Sequence, residues 1–345
     1  MSIITFTRTR KDNTRHEIII DTLNNTISID YGTNIIPVMR LTKNADFVIK
    51  LNKTSVSTCS IDMLTYALQN DVSVFDNIVF HIMRIDREIT TGKKMSRAAF
   101  YNIYFDDENG IDDLVDFFNL ASHSTRQLII RDHMCDDHTA KMSGMISYST
   151  SVECNRFCLA RMHCNHAVCK HCFAYRQLGI YADQRKKLKR AHAIATRCEW
   201  SIADIPFIDY KMFPYFRLES FGDINNTIQV NNYNILADTL GKLYGIKTTL
   251  WTKNPGIIQK AINDGMQLSE YLTIGLSSLE LNKPEIDKTK KYSFIRFLFT
   301  VYDENYISEH NININCGGRH CLSCLNCYEL AANSNELILI NEKLK

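Results

Sequence analysis

The chain is poor in residues that interrupt regular structure and in long apolar runs. Its 345 residues include only 5 prolines and 13 glycines, too few for a disordered or linker-rich protein. No stretch approaches the length of a membrane-spanning helix, and the first residues, MSIITFTRTRKDN, lack the apolar segment of a secretory signal. We therefore expect a globular cytoplasmic protein with no membrane partner.

An excess of charge of either sign is also missing. The 40 lysines and arginines nearly balance the 38 acidic residues, which excludes a surface built wholly to coat nucleic acid. The densest basic run, from Arg185 to Arg190 (RKKLKR), leaves a local nucleic-acid contact open, although a solvated helix face is the simpler interpretation. Gly-rich phosphate loops, Ser/His/Asp arrangements and H-E-x-x-H motifs are absent from the sequence.

What the chain does contain is 12 cysteines, nine of them in two short windows. Disulfide frameworks belong mainly to short secreted chains, so clustered thiols in a cytoplasmic protein indicate metal or iron–sulfur ligation. The first window holds Cys154, Cys158, Cys164, Cys169 and Cys172, and the second holds Cys316, Cys321, Cys324 and Cys327. We expect Cys59, Cys135 and Cys198 to be ordinary buried residues.

Apolar patterning divides the chain into three regions. Residues 1–135 predict a small α+β module of unknown role, with a hairpin around Asn24 and Asn25, strands within 46–51 and 72–83, and a helix at 110–121. Residues 136–305 alternate strands with helices, which implies parallel βα units in an α/β fold. The predicted strands are 145–151, 215–221, 246–251, 271–276 and 294–302, and the main predicted helices are 173–198, 228–244 and 255–265. These residues are too few for an eight-unit barrel, so we expect a partial barrel, followed by a Cys-rich extension at 306–345.

The first window carries a Cys-x-x-Cys pair, Cys169 and Cys172. Two intervening residues turn the chain back so that both sulfurs can reach one metal. Zinc with four ligands, drawn also from nearby histidines, and a [4Fe–4S] cluster with three thiolates both suit this composition. The window follows a predicted strand, and βα folds place their chemistry at that end of the strands.

With Phe173 directly after Cys172, this segment resembles the radical S-adenosylmethionine (radical SAM) superfamily, whose cysteine loop follows the first strand of a βα barrel. The segment N-R-F-C…C-K-H-C-F-A-Y-R is most similar to phage- and plasmid-encoded members, and the resemblance covers residues 145–302. It implies a partial (βα) barrel, a [4Fe–4S] cluster, S-adenosylmethionine as cofactor, and an electron donor such as flavodoxin or ferredoxin. The implied reaction is reductive cleavage of S-adenosylmethionine followed by hydrogen abstraction from an unknown substrate.

The first cluster ligand departs from the usual family spacing, in which three residues separate the first two cysteines. Cys164 gives C-x4-C-x2-C and Cys158 gives C-x10-C-x2-C, while Cys154 is a third choice. Similarity of N-R-F-C to the phage-type motif favours Cys158.

The resemblance also implies cofactor contacts where strands end. Phe173 is the expected aromatic neighbour of the cluster, and the turn containing Glu219, Gly222 and Asp223 would receive the amino group of the cofactor. Ribose or carboxylate contacts are expected from Lys253, Asn254 and Ser277. A helix N-cap at Asp223 and an ordinary turn before Pro255 are the structural alternatives.

The second window has the order C-x4-C-x2-C-x2-C and predicts tetrahedral or cluster ligation. Its expected occupant is an auxiliary iron–sulfur cluster or a structural zinc ion. A different class of function stays open for the whole chain: a non-catalytic zinc protein that uses both windows as structural staples and binds nucleic acid or another protein.

Overall fold

The computed structural model describes residues 3–9, 15–21, 26–30, 32, 35–41, 47–51, 54–55, 108–121, 123–136, 140–317 and 319–344. The chain divides into two compact units, one formed by Met1–Ile103 with Leu120–Thr125 and the other by Tyr104–Asn119 with Arg126–Lys345. The strand prediction for residues 72–83 lies outside the described residues.

The first unit contains a six-stranded antiparallel sheet whose strands pair in chain order. Its strands are β1 (Ile3–Thr9), β2 (Arg15–Asp21), β3 (Thr26–Asp30), β4 (Ile35–Leu41), β5 (Phe47–Leu51) and β6 (Thr54–Ser55). The hairpin predicted around Asn24 and Asn25 is confirmed, because Asp21 at the end of β2 pairs with Thr26 at the start of β3.

The second unit is built on a seven-stranded sheet that is parallel except at one edge. Its strands are β7 (Met134–Cys135), β8 (Ile146–Tyr148), β9 (Tyr215–Leu218), β10 (Lys247–Thr252), β11 (Leu272–Ser277), β12 (Ile295–Tyr302) and β13 (Ile338–Lys343). They lie side by side in chain order, and only β7 pairs antiparallel with its neighbour. The predicted α/β class with parallel βα units is thereby confirmed.

Helices connect most of these strands. They are α1 (Glu108–Leu120), α2 (His123–His133), α3 (Arg156–Met162), α4 (Phe173–Ile180), α5 (Ala182–Arg197), α6 (Thr227–Tyr244), α7 (Pro255–Asn263), α8 (Ile286–Lys290), α9 (Glu304–His310), α10 (Cys321–Cys324) and α11 (Ala331–Asn333). A π-helical turn, Asn326–Leu330, precedes α11. None of the helices described has both the length and the apolar character needed to cross a membrane.

Two helix boundaries show where local sequence signals succeed and fail. The prediction that Gly245 ends a helix is confirmed: it adopts φ 70° directly after α6, in the left-handed region that glycine tolerates. The single helix predicted for 173–198 is wrong. Tyr181 is extended, with φ −111° and ψ 90°, and separates α4 from α5 although the apolar spacing continues across it.

The two faces of the parallel sheet are covered differently. Because the strands follow chain order and parallel crossovers are right-handed, the crossover helices lie on one face, where Phe216 and Leu218 are fully buried. The opposite face carries Tyr215, Arg217 and Trp251 and is covered by the C-terminal segment, since Tyr328 packs edge-on or tilted against Tyr215 and Trp251. We call this second face the inner face.

Candidate metal and cofactor site

The carboxyl ends of the parallel strands bring the predicted cofactor residues to one edge of the sheet. Residues 219–223 follow β9, Lys253 and Asn254 follow β10, and Ser277 is the last residue of β11. In a parallel sheet these ends lie side by side, at the edge where α/β folds bind ligands.

The first cysteine window forms a loop that is fastened across these strand ends. The buried Asn155 side chain donates to the backbone oxygen of Asp223, at 2.8 Å, and therefore ties the loop to the turn after β9. Further along, the Val168 N–H donates to the Leu279 carbonyl, also at 2.8 Å, beyond the end of β11. The loop thus spans the ends of β9, β10 and β11.

Asn155 also sets the start of the helix that carries Cys158. Its side-chain oxygen accepts from the N–H groups of Phe157 and Cys158, at 3.0 and 3.3 Å, and so caps α3. Sequence reasoning did not select Asn155. The available signal was an asparagine placed three residues before a candidate ligand at a helix start.

Three thiols of the loop share one neighbourhood with a cation and an acid. Burial raises the pKa of Cys158, the Asp223 carboxylate adds to this, and the Lys253 ammonium opposes it. Burial likewise raises the pKa of Cys169, which Lys253 opposes and the adjacent Cys172 reinforces. Cys158 and Cys172 also pack, half-buried, against the same apolar cluster. Cys158, Cys169 and Cys172 therefore lie in one region with Lys253 and Asp223.

Lys253 keeps its charge in this setting. Burial acts to lower the pKa of its ammonium, but Cys169, Asp223 and the other thiols together outweigh burial and raise it. A fixed positive charge among three potential thiolates offsets the negative charge that they acquire on binding a metal.

The two other candidates for the third ligand, Cys154 and Cys164, have different neighbours. Burial raises the pKa of Cys154, and the groups that further affect it are Ser151, Lys189 and Glu153. Cys164 lies just beyond α3, where its N–H donates to the Arg161 carbonyl at 3.1 Å. Unlike Cys154, Cys158 has a thiol that interacts with Cys169 and Lys253.

Glu219 faces the protein interior. Its carboxylate accepts hydrogen bonds from the Thr150 N–H, the Thr150 hydroxyl, the Gln229 amide and the Tyr233 hydroxyl. Burial raises its pKa to about 8, against the opposing effect of the hydrogen bonds from Tyr233 and Thr150. With its oxygens engaged in this way, Glu219 ties the ends of β8 and β9 to α6, and little acceptor capacity remains for a cofactor amino group.

The glycine–acid turn is built around a left-handed glycine. Gly222 has φ +73°, and a Cβ atom there would lie 2.7 Å from the Thr150 carbonyl oxygen. The next residue, Asp223, accepts from the Thr252 hydroxyl at 2.5 Å and the Lys253 N–H at 2.8 Å. The alternative role of Asp223 as cap of the following helix is wrong, because Asn226 caps α6.

The remaining predicted contacts lie around this edge. Phe173 is exposed, with its ring centroid 6.0 Å from that of Phe221 beside the loop. Asn254 precedes α7, and its N–H donates to the Thr252 hydroxyl at 2.9 Å. Ser277 is buried at the end of β11.

The second cysteine window lies against the inner face of the sheet. Cys316 donates its N–H to Asn341 of β13 at 2.9 Å, and the Thr249 hydroxyl of β10 lies 3.3 Å from the Cys327 carbonyl. Burial raises the pKa of Cys327 to about 12, and the other three cysteines of the window add to this. Cys316 and Cys327 also pack, half-buried, against the same apolar cluster.

The basic run on α5 is largely engaged within the protein. Arg185 pairs with Glu153 at 2.7 Å, Lys187 donates to the Met134 carbonyl at 2.6 Å, and Arg190 is buried. A nucleic-acid contact through this run would have to replace interactions that already exist.

The thiols of both cysteine windows are ligands that metal ions bind, but their sulfur atoms do not point at a common centre. Within the described ranges, no group of three or more His, Cys, Asp or Glu side chains is arranged so that it could hold a metal ion. A cysteine side chain redirects its sulfur by changing one torsion between staggered positions. The three thiols around Lys253 match the three protein ligands of an open [4Fe–4S] cluster, provided that they turn toward one another.

No family model, curated protein or solved structure matches the chain.

Proposed function

We propose that this protein is a radical SAM-type iron–sulfur enzyme acting on a substrate still to be identified. The observation that carries the proposal is the fastening of the loop with Cys158, Cys169 and Cys172 across the carboxyl ends of the parallel strands, beside Asp223 and Lys253. Three thiolates at this edge leave one iron of a [4Fe–4S] cluster free for a cofactor.

A partial barrel is the form of sheet that we propose. All crossover helices lie on one face of a sheet whose strand order never reverses, which leaves the inner face free to curve inward. In a flat sheet, β8 and β13 would lie about 24 Å apart. Lys141, in the connection before β8, nevertheless pairs with Glu342 of β13 at 2.5 Å, which favours a curved sheet.

Each residue of the site has a proposed task. The three thiolates hold the cluster, which when bound supplies the electron that cleaves a carbon–sulfur bond of S-adenosylmethionine. Lys253 offsets the negative charge of the thiolates and of a cofactor carboxylate. Asp223 holds the Lys253 backbone in place, and Gly222 keeps the turn after β9 free of a side chain.

Anaerobic purification of the full chain, followed by iron, sulfide and zinc analysis, tests the proposal. We expect a brown protein that converts S-adenosylmethionine to 5′-deoxyadenosine when dithionite supplies electrons. Cys158→Ala should abolish cleavage and remove the iron and sulfide of the cluster held by the first cysteine window. Cys154→Ala is the matched control, because it removes a thiol of the same loop outside the group around Lys253, and it should retain both properties.

Two outcomes would contradict the proposal. A colourless protein with stoichiometric zinc and no bound S-adenosylmethionine would identify a zinc-stapled binding protein instead. An iron–sulfur protein in which Cys164→Ala loses the cluster and Cys158→Ala keeps it would overturn the ligand assignment.

A further inference from the structure

Two buried donors close to the second cysteine window find no hydrogen-bond acceptor in the described part of the chain. The Tyr328 hydroxyl and the Nε of Arg217 are both buried, and among the described residues neither finds a partner. A buried donor without an acceptor costs about 1–3 kcal/mol, so native proteins rarely leave two of them together. Their presence indicates that an acceptor belongs at this position.

The position of Arg217 is fixed by its contacts. Its guanidinium lies over the Trp251 ring, 4.2 Å from the centroid, and its Nη1 lies 3.3 Å from the Met142 sulfur. In the described part of the chain, Arg217 forms no ion pair with a carboxylate. A cation–π contact holds this charge in place without neutralising it.

Arg217 and Tyr328 lie beside the thiols of the second window. Tyr328 directly follows Cys327, and its ring packs against Trp251, the ring that the Arg217 guanidinium covers. Cys316 and Cys327 pack against the same apolar cluster as Trp251. The two donors and the thiols thus occupy one neighbourhood on the inner face.

A second cation lies at the margin of the same group. The ammonium of Lys141 lies 3.7 Å from the Cys316 sulfur while it pairs with Glu342. Four neutral thiols would not need this environment. Four thiolates around a metal centre would, because a tetrathiolate centre carries net negative charge, and its sulfurs accept hydrogen bonds.

We propose that Cys316, Cys321, Cys324 and Cys327 hold an anionic metal–thiolate centre on the inner face of the sheet, with Arg217 and Tyr328 as positioning residues that donate hydrogen bonds to its sulfur atoms. The four cysteines supply a tetrathiolate ligand set, which either a zinc ion or an iron–sulfur cluster can occupy. This centre is independent of the site around Lys253, so either can exist without the other.

The first experiment measures metal in a full-length variant whose first site is disabled, Cys169→Ala with Cys172→Ala. We expect about one zinc, or one complement of cluster iron and sulfide, per chain to remain. Either metal supports a tetrathiolate centre, and the metal found shows whether that centre holds a zinc ion or an iron–sulfur cluster. A folded variant that binds neither metal overturns the proposal, and circular dichroism reports whether it is folded.

The second experiment tests the donors through metal retention against a competing chelator. Tyr328→Phe and Arg217→Gln should each weaken metal retention by about tenfold, the usual lower effect of removing an outer hydrogen-bond partner. Arg217→Lys should restore part of the loss. The matched control is Tyr306→Phe, since Tyr306 instead stacks on His310, with centroids 3.9 Å apart, and should leave metal retention unchanged.

Spectroscopy separates this role from simple structural support. In an iron-containing protein, removal of either donor should lower the reduction potential, since both donors stabilise the added electron. In a zinc protein, cobalt substitution should give a thiolate charge-transfer band that shifts in Tyr328→Phe. If both the spectrum and metal retention of Tyr328→Phe equal those of Tyr306→Phe, the proposed role of Tyr328 is wrong.

Discussion

Replacing Asn155 by alanine tests whether the cysteine loop is positioned by its link to the turn after β9. The fully buried side chain caps α3 and donates to the Asp223 carbonyl. Losing an N-cap costs about 1 kcal/mol, and leaving a buried carbonyl without its donor adds about 1–2 kcal/mol. We therefore expect the free energy of unfolding in urea to fall by about 2–3 kcal/mol.

Asn226→Ala is the matched control for this prediction. Asn226 caps α6 through the Gln229 N–H at 3.0 Å and donates to the Thr196 carbonyl at 2.8 Å, so its removal deletes the same kinds of bond outside the cysteine loop. Both variants should lose similar stability, whereas only Asn155→Ala should bind severalfold less iron after anaerobic reconstitution. Equal iron content in the two variants, or a stability loss below about 0.5 kcal/mol for Asn155→Ala, would refute the reasoning.

Three further predictions follow from the structure. Gly275→Ala should lower the free energy of unfolding by about 1–3 kcal/mol, because its Cβ would lie 2.1 Å from the Phe297 ring. Adding Phe297→Leu should restore part of this free energy in urea unfolding. Burial lowers the pKa of His192 from 6.5 to about 4, so stability should fall as the pH falls through this interval. At pH 5 the free energy of unfolding should be about 2 kcal/mol lower than at neutral pH. A His192→Leu variant whose stability depends on pH as steeply would show that His192 is not the cause. Glu329→Gln, which removes the ion pair with Lys247, should speed proteolysis of the C-terminal segment, and unchanged cleavage rates would show that this pair does not hold the segment.

Local structure was accessible from the sequence where neighbouring residues determine it. Short apolar runs marked strands of the parallel sheet, and Gly245 marked the end of α6, because both signals depend on residues that are neighbours along the chain. The same kind of signal failed at Tyr181. Apolar spacing continues through that residue, and only its extended backbone separates α4 from α5.

The assignment of individual thiols needed long-range contacts. Spacing left Cys154, Cys158 and Cys164 as alternatives for the third ligand, since each can follow a strand at an acceptable distance from Cys169. We favour Cys158 because Asn155 fastens the start of its helix, α3, to a turn that lies 68 residues further along the chain. No local pattern specifies such a contact.

The sequence by itself determined an α/β body of parallel βα units and the location of its potential metal ligands, because hydrophobic periodicity and cysteine spacing are local properties. Only the tertiary structure decided that Glu219 turns inward, that Lys253 lies among three thiols, and that the C-terminal window covers the inner face beside Arg217. These arrangements depend on which strands become neighbours and on which face each side chain occupies. Burial and strand register decide both, over separations along the chain that no short motif encodes.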